Sequence, residues 1–339
     1  MNKNQKKALI IALSICGAGV LISLCVLASV NFDLSRLSAR HNVGVSKDDS
    51  ETIKAEHIEK DIDESGQNIS LNLSSADVVI KPSDDEKIHI SYDNTEETYF
   101  ELESTGKKIN LTQKQKSYIT FGVVFFSDNK LTVEVYIPAD HEGNLDINGA
   151  SSDISVSDMK FEGKFDINSV SGDIVLQNCE ADTISTGNTS GEINISAVKT
   201  TSIEASTISG DININEITEK TPISLETTSG KVYAENVSAQ DIKAESISGG
   251  IELVKVTGNT ANLSSTSGDV HLDLADFQEI VYNSVSGSIK GTVCGSSDDY
   301  TVYTDSISGS NSLSSHRGRG DRTLDLSSTS GSFNISFEK

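Results

Sequence analysis

Six histidines, four cysteines and fifty carboxylates are the side chains through which this 339-residue chain could do chemistry. The histidines are His41, His57, His89, His141, His271 and His316. No two of them have the HExxH spacing that holds a catalytic zinc. The sequence has neither a GxSxG nucleophile elbow nor a GxxxxGK(S/T) phosphate loop. A glycosidase would need paired carboxylates roughly 5–10 Å apart in a cleft with sugar-stacking aromatics. The chain has no Trp and only 5% aromatic residues, which disfavours that chemistry. Carboxylates do recur, however, at Asp153, Asp173, Glu192, Asp211 and Asp269. One strand apart, such acids could hold Ca²⁺ on several oxygens, and without a cation they would repel. Lys231, Gly250 and Ser288 interrupt the series, and the GGxGxD phrase of Ca²⁺-binding β-rolls is absent. No cofactor or metal is expected, and the acids read as solvated charge. The tripeptide Arg319, Gly320 and Asp321, in "RGRGDRT", is a candidate adhesion loop.

These residues are positioned by a repeat. A Ser-Gly phrase returns at Gly172, Gly191, Gly210, Gly230, Gly249, Gly268, Gly287, Gly309 and Gly331, with gaps of 19, 19, 20, 19, 19, 19, 22 and 22 residues. Apolar residues follow each glycine at +2, +4 and +7, then again near +12 and +14. Ile212, Ile214, Ile217, Ile223 and Leu225 show the pattern. Alternation with period 2 marks half-buried strands. One unit cannot bury its apolar side alone, so the units must stack. The expected fold is all-β, a β-solenoid of about ten 19–22-residue coils. Each glycine is expected at a corner with φ > 0, and the serine before it to bond neighbouring backbone. The strand that follows each glycine excludes a phosphate-cradling loop, which needs a helix there. Cys179 and Cys294 fall in one inward column six coils apart, about 29 Å at the strand spacing. They are expected to be free, because a disulfide needs Cα atoms within about 7 Å.

The remaining chain divides by composition. Residues 1–7 read as a cytoplasmic tail and 8–30 as a transmembrane helix, "ALIIALSICGAGVLISLCVLASV", without a charge. Lys3, Lys6 and Lys7 place the N-terminus in the cytoplasm and the C-terminal domain outside the cell membrane. The apolar run is longer than a signal-peptide core, and "VLASV" is a poor cleavage site. Residues 31–65 read as a juxtamembrane spacer, 66–140 as a β-rich N-terminal cap region and 141–339 as the solenoid repeat domain. "ITFGVVFF" (119–126) is expected as a buried strand of that cap. Beyond residue 40 there are 22 basic and 49 acidic residues, a surface that repels nucleic acid.

The Ser-Gly-Asp-Ile phrase at about 19-residue spacing, after the strand "VEVYIPAD", resembles the bacterial adhesin-type family of β-strand-repeat envelope proteins, a domain of unknown function. The resemblance covers about residues 66–339. It implies a membrane-anchored envelope protein and supplies no catalytic residues. Ser152 stands where the first glycine should, and the last two coils carry longer loops. The expected function is non-enzymatic: a membrane-anchored, extracytoplasmic scaffold for adhesion or envelope stress. Its expected partners are the membrane, through the N-terminal helix, and an envelope or protein ligand. The alternatives are a regulatory partner of another membrane protein and a carbohydrate-active enzyme.

Overall fold

The computed structural model describes residues 55–63, 67–116 and 131–339. The expected tail, the transmembrane helix 8–30, most of the spacer and the "ITFGVVFF" strand lie outside the described residues. Among the described residues no helix is long and apolar enough to cross a membrane.

The described chain is an all-β solenoid of about nine turns in chain order. Each turn supplies two short strands to two parallel faces. The first face holds the strand after the Ser-Gly phrase, such as Ile193–Ser196, Ile212–Asn215 and Val232–Glu235. The second holds Ser202–Thr207, Thr221–Thr227 and Ala239–Ser246. Equivalent residues stack in register. On the first face Ile174, Ile193, Ile212, Val232, Ile251, Val270 and Ile289 pair successively. On the second, Ile184, Ile203, Ile223, Ile242, Ala261, Ile280 and Leu324 do so. All of these are buried. A third, narrow side is closed by isolated bridges such as Glu180 to Lys199, with Met159, Cys179, Val198, Ile217, Val237, Val256 and Ala275 pointing inward. Aliphatic columns therefore make a thin continuous core, in which each buried Val, Leu or Ile contributes about 1.5–3 kcal/mol.

Residues 67–116 and 131–137 continue the same rod. Ile69 pairs with Leu145 and Val78 with Ile154, so the strands Asn68–Leu73 and Asp77–Pro82 form the turn next to the repeats. Lys108–Gln115 and Thr132–Ile137 stack on the far side of that turn. Antiparallel strands then close this end: Ile88–Asn94 on Thr132–Ile137, Thr98–Thr105 on Lys108–Gln115, and Glu56–Ile62 on Ile88–Asn94. The phrase Ser75-Ala76-Asp77 is a corner written without its glycine. The side-chain oxygen of Gln113 accepts the N–H groups of Ser74, Ser75 and Ala76, at 2.8, 3.0 and 3.1 Å.

At the other end, chain order and spatial order part. Arg322–Ser328 inserts between the second half of the long strand Val270–Ser284 and the outer strand Tyr300–Ser306. The residues between, 307–321, fold back over the terminal strands. Val302 and His316 exchange backbone bonds of 2.8 and 3.1 Å, and the Ser312 N–H donates to the Phe333 carbonyl at 2.9 Å. The extra residues of the last coils thus cover strand edges that would otherwise template pairing with another chain.

Candidate functional site

Most of the repeated polar residues lie at the corners. Among the nine Ser-Gly glycines only Gly309 has a left-handed φ, +149°. The expectation of φ > 0 at Gly172, Gly191, Gly210, Gly230, Gly249, Gly268, Gly287 and Gly331 is therefore corrected. Glycine is required there by close approach: a Cβ on Gly230 would stand 1.7 Å from the Gly210 carbonyl oxygen, and one on Gly249 1.6 Å from that of Gly230. The left-handed residues lie six positions later, at the next corner. They are Asp158, Asn178, Ala197, Glu216, Asn236, Lys255 and Leu274, with φ between 51° and 59°. The hydroxyl that bonds the corner also differs from expectation. It belongs to the residue three before the glycine, not one before. Ser169, Thr207, Thr227, Ser246, Ser284 and Ser328 each accept the N–H of their glycine at 2.7–3.2 Å. Several donate in turn to a carbonyl one coil below, as Ser169 does to Ser152 at 3.0 Å.

Left-handed backbone costs most residues about 1–2 kcal/mol, and Asn least among those with a side chain. Ala197→Asn, with Asn178 one coil below it, is therefore expected to raise stability by about 0.5–1 kcal/mol. A urea melt reads this as a higher midpoint, and a lower one would contradict the corner assignment.

The acidic column is engaged rather than idle. The carboxylate oxygens of Asp153, Asp173, Asp211 and Asp269 accept backbone N–H groups from Asp173, Glu192, Lys231 and Ser288 of the next coil at 2.7–3.0 Å. The Asp of the Ser-Gly-Asp phrase is thus a stacking device. Among the described residues no three His, Cys, Asp or Glu side chains converge as a metal site requires.

Both described cysteines are free, but they do not share a column. A register shift beside Gly291 (φ +128°) makes Val293 the partner of Ala275, and it leaves Cys294 half-buried. Burial pushes the Cys179 thiol up to about 11. Cys179 is expected to resist a thiol reagent at pH 8 until urea is added, with Cys294 reacting sooner. Mass spectrometry of the labelled peptides checks the order, and early labelling of Cys179 would contradict its burial.

On the second face Asp146 and Asp166 stand directly opposite each other, and so do Glu226 and Glu245. Lys243 lies on both, at 2.6 Å from Glu226 and 3.1 Å from Glu245, and relieves the repulsion between them. Two shallow depressions of about 210 and 300 Å³ flank Lys243, and neither is lined by an aromatic residue. This geometry neutralises a carboxylate pair and offers no platform for a sugar ring.

The Arg319-Gly320-Asp321 tripeptide is exposed in the 307–321 excursion. Its backbone is fixed: the N–H groups of Arg319 and Gly320 both donate to the Asp298 carbonyl, at 2.7 and 3.1 Å. Gly320 lies against the Asp299 backbone, where a Cβ would approach to 2.3 Å. The following residue, Arg322, pins the excursion to the rod. Its guanidinium meets Asp276 at 2.8 Å, the Cys294 carbonyl at 2.8 Å and the Tyr300 hydroxyl at 3.0 Å. Nothing in the spacing of "RGRGDRT" separates this structural arginine from its exposed neighbours. Tyr303 and Ile307, 56% and 53% exposed, are the large exposed hydrophobics among the described residues, and both border the excursion.

Several solved structures resemble this fold. One is a provisionally named lipid-binding protein from Parabacteroides distasonis, at 18% identity and TM-score 0.43, covering 69% of this chain and 96% of that one. Another is a provisionally named adhesin from the same organism, at 13% identity and TM-score 0.38, covering 81% and 97%. A third is a provisionally named cell adhesion protein from Clostridium sporogenes, at 11% identity and TM-score 0.25, covering 84% and 100%. No curated protein matches. Residues 66–223 and 219–336 each match the Toastrack DUF4097 family. The two matches meet in the one 20-residue gap, where the register of the second face shifts between Thr221 and Ile223 at Pro222, and strands pair across this point on both faces. Matched over most of its length, the chain belongs to the Toastrack DUF4097 family.

Proposed function

We propose that this protein is a non-enzymatic scaffold of the cell envelope. It is anchored by Ala8–Val30, with the N-terminus in the cytoplasm and the solenoid outside, and it presents its C-terminal excursion to an envelope or protein ligand. The observation that carries this reading is where the unrepeated side chains lie. Most of the hydroxyls three residues before the glycines, and the Asp carboxylates that follow the glycines, are occupied in bonding the corners and the next coil. The exposed Tyr303, Ile307, Arg319 and Asp321, by contrast, gather on or beside the loop that closes one end of the rod. Exposed aromatic and arginine side chains on a fixed loop are the usual anchors of recognition, and a rod carries them away from its base.

The placement is tested with Ser310→Cys on intact cells and a membrane-impermeant maleimide. Labelling before lysis is expected, and labelling only after lysis would overturn the topology. The loop is tested by binding of protein-coated beads to cells or isolated envelopes. Arg319→Ala with Asp321→Ala is expected to abolish most of the capture, and undiminished capture would move the ligand site elsewhere.

A further inference from the structure

The strand Glu56–Ile62 pairs antiparallel with Ile88–Asn94 along its whole length. It buries little: Ile58 and Ile62 are half-buried and its other residues are exposed. Beside the backbone ladder, charged contacts hold it. Nδ1 of His57 meets Asp93 across the strands at 2.8 Å, while Nε2 of His57 faces Glu59 at 3.3 Å. Nδ1 of His89 meets Asp61 across the strands at 2.8 Å, and Nε2 of His89 meets Asp85 at 2.9 Å. Each strand therefore sends one histidine to an acid on the other, and each ring lies between two carboxylates. A carboxylate only accepts, so both ring nitrogens must donate, and only the imidazolium can do that. A neutral ring would turn a lone pair toward one carboxylate.

We infer that His57 and His89 form a proton-operated latch, which holds the N-terminal strand on the solenoid while both rings are charged and frees it when they are neutral. The carboxylates raise both histidines above their ordinary value, Asp93 contributing most at His57 and Asp61 at His89. The latch is therefore whole below about pH 6.5, the unfolded histidine value, and it is lost as pH rises through the raised folded values. On the acid side Asp85 is held below its ordinary value, first by the Lys87 N–H and then by His89, so it stays ionised and engaged until pH falls through that lowered value. The other charged or titratable groups around the pair are Lys87, which meets Asp63 at 2.7 Å, Glu56 and Lys60 on the released strand, and Glu134 and Tyr136 on the strand behind. On the anchoring reading this strand is the end of the 31–65 spacer laid on the rod, so release would lengthen the free spacer at the base of the rod. The latch itself does not depend on that reading.

Hydrogen exchange of the full chain from pH 5.5 to 8.5, corrected for the intrinsic pH dependence of exchange, tests the latch. Protection of 56–62 is expected to fall several-fold as pH rises across this range, while that of 193–214 stays constant. In the His57→Gln, His89→Gln double variant, protection of 56–62 is expected to be low at every pH. A flat profile in the native protein, or the same decline in the double variant, would overturn the latch. So would loss of protection in 193–214 over the same range, since the rod as a whole would then be opening.

Discussion

Gly230→Ala is expected to destabilise the rod by about 3–5 kcal/mol, although it adds only a single methyl group at a turn. The new Cβ would lie 1.7 Å from the Gly210 oxygen and 2.4 Å from its carbonyl carbon, and both atoms are backbone of the coil beneath. No rotamer change relieves a clash with backbone, so the coils must separate. Separation stretches three bonds at this corner. These run from the Ser229 N–H to the Ile208 carbonyl (2.9 Å), from the Thr227 hydroxyl to the Gly210 carbonyl (3.4 Å) and from the Lys231 N–H to Asp211 (2.7 Å). Each contributes about 0.5–1.5 kcal/mol, and overpacking adds about 1–3 kcal/mol. Neighbouring coils share every column, so the lesion should spread to them. Gly250→Ala is the matched control, because its Cβ would meet nothing nearer than the Asp269 oxygen at 3.4 Å. It is expected to change stability by about 0.5 kcal/mol or less. Urea melts compare the two, and equal midpoints would show that the corner does not need glycine.

Val237→Asp is expected to cost about as much by a different route. Val237 is 2% exposed in the inward column of the narrow side. A carboxylate there loses its hydration and leaves a gap where the methyl groups packed. Burial raises the folded-state pKa of such an acid, so the ionisation penalty is fully present above that raised value, shrinks as pH falls through it, and is gone below the unfolded value of about 3.9. The variant should therefore lie closest to the native protein near pH 4 and furthest from it at pH 7. Asn236→Asp, one residue away and exposed, should stay within about 0.5 kcal/mol at either pH. If the two variants behave alike, the inward column is misassigned.

Much of the rod was legible in the sequence because stacking repeats the same environment. Ile212, Ile214 and Ile217 occupy positions that recur coil after coil, and a column of buried aliphatics shows as a period. The corner glycines were legible as corners, but the cause of the glycine was not. A left-handed φ and a carbonyl one coil away both select glycine, and only coordinates separate them. The left-handed column stayed hidden because Asp158, Ala197, Lys255 and Leu274 share no chemistry. Cys294 left its column because the bulge at Gly291 moves the register by one residue, a shift that a count from Gly287 cannot include. The corner at Ala76-Asp77 lacked its glycine, and 76 residues separate it from the equivalent Ser152-Asp153, so no period pointed to it. His57 and His89 meet their acids across antiparallel strands, 36 and 28 residues away in sequence, where spacing carries no signal.

Distances along one outward column test the stacked rod most directly. Asn334, Lys290, His271, Glu252, Tyr233, Asn213, Asn194 and Val175 pair in succession on the first face. Spin labels at 213 and 334 are five rises apart, about 24 Å, and labels at 175 and 334 are seven apart, about 34 Å, at the spacing of neighbouring strands. Pulsed electron resonance on the two doubly labelled proteins should give the second distance about 10 Å longer than the first. Equal distances, or a shorter one for 175 and 334, would contradict the solenoid.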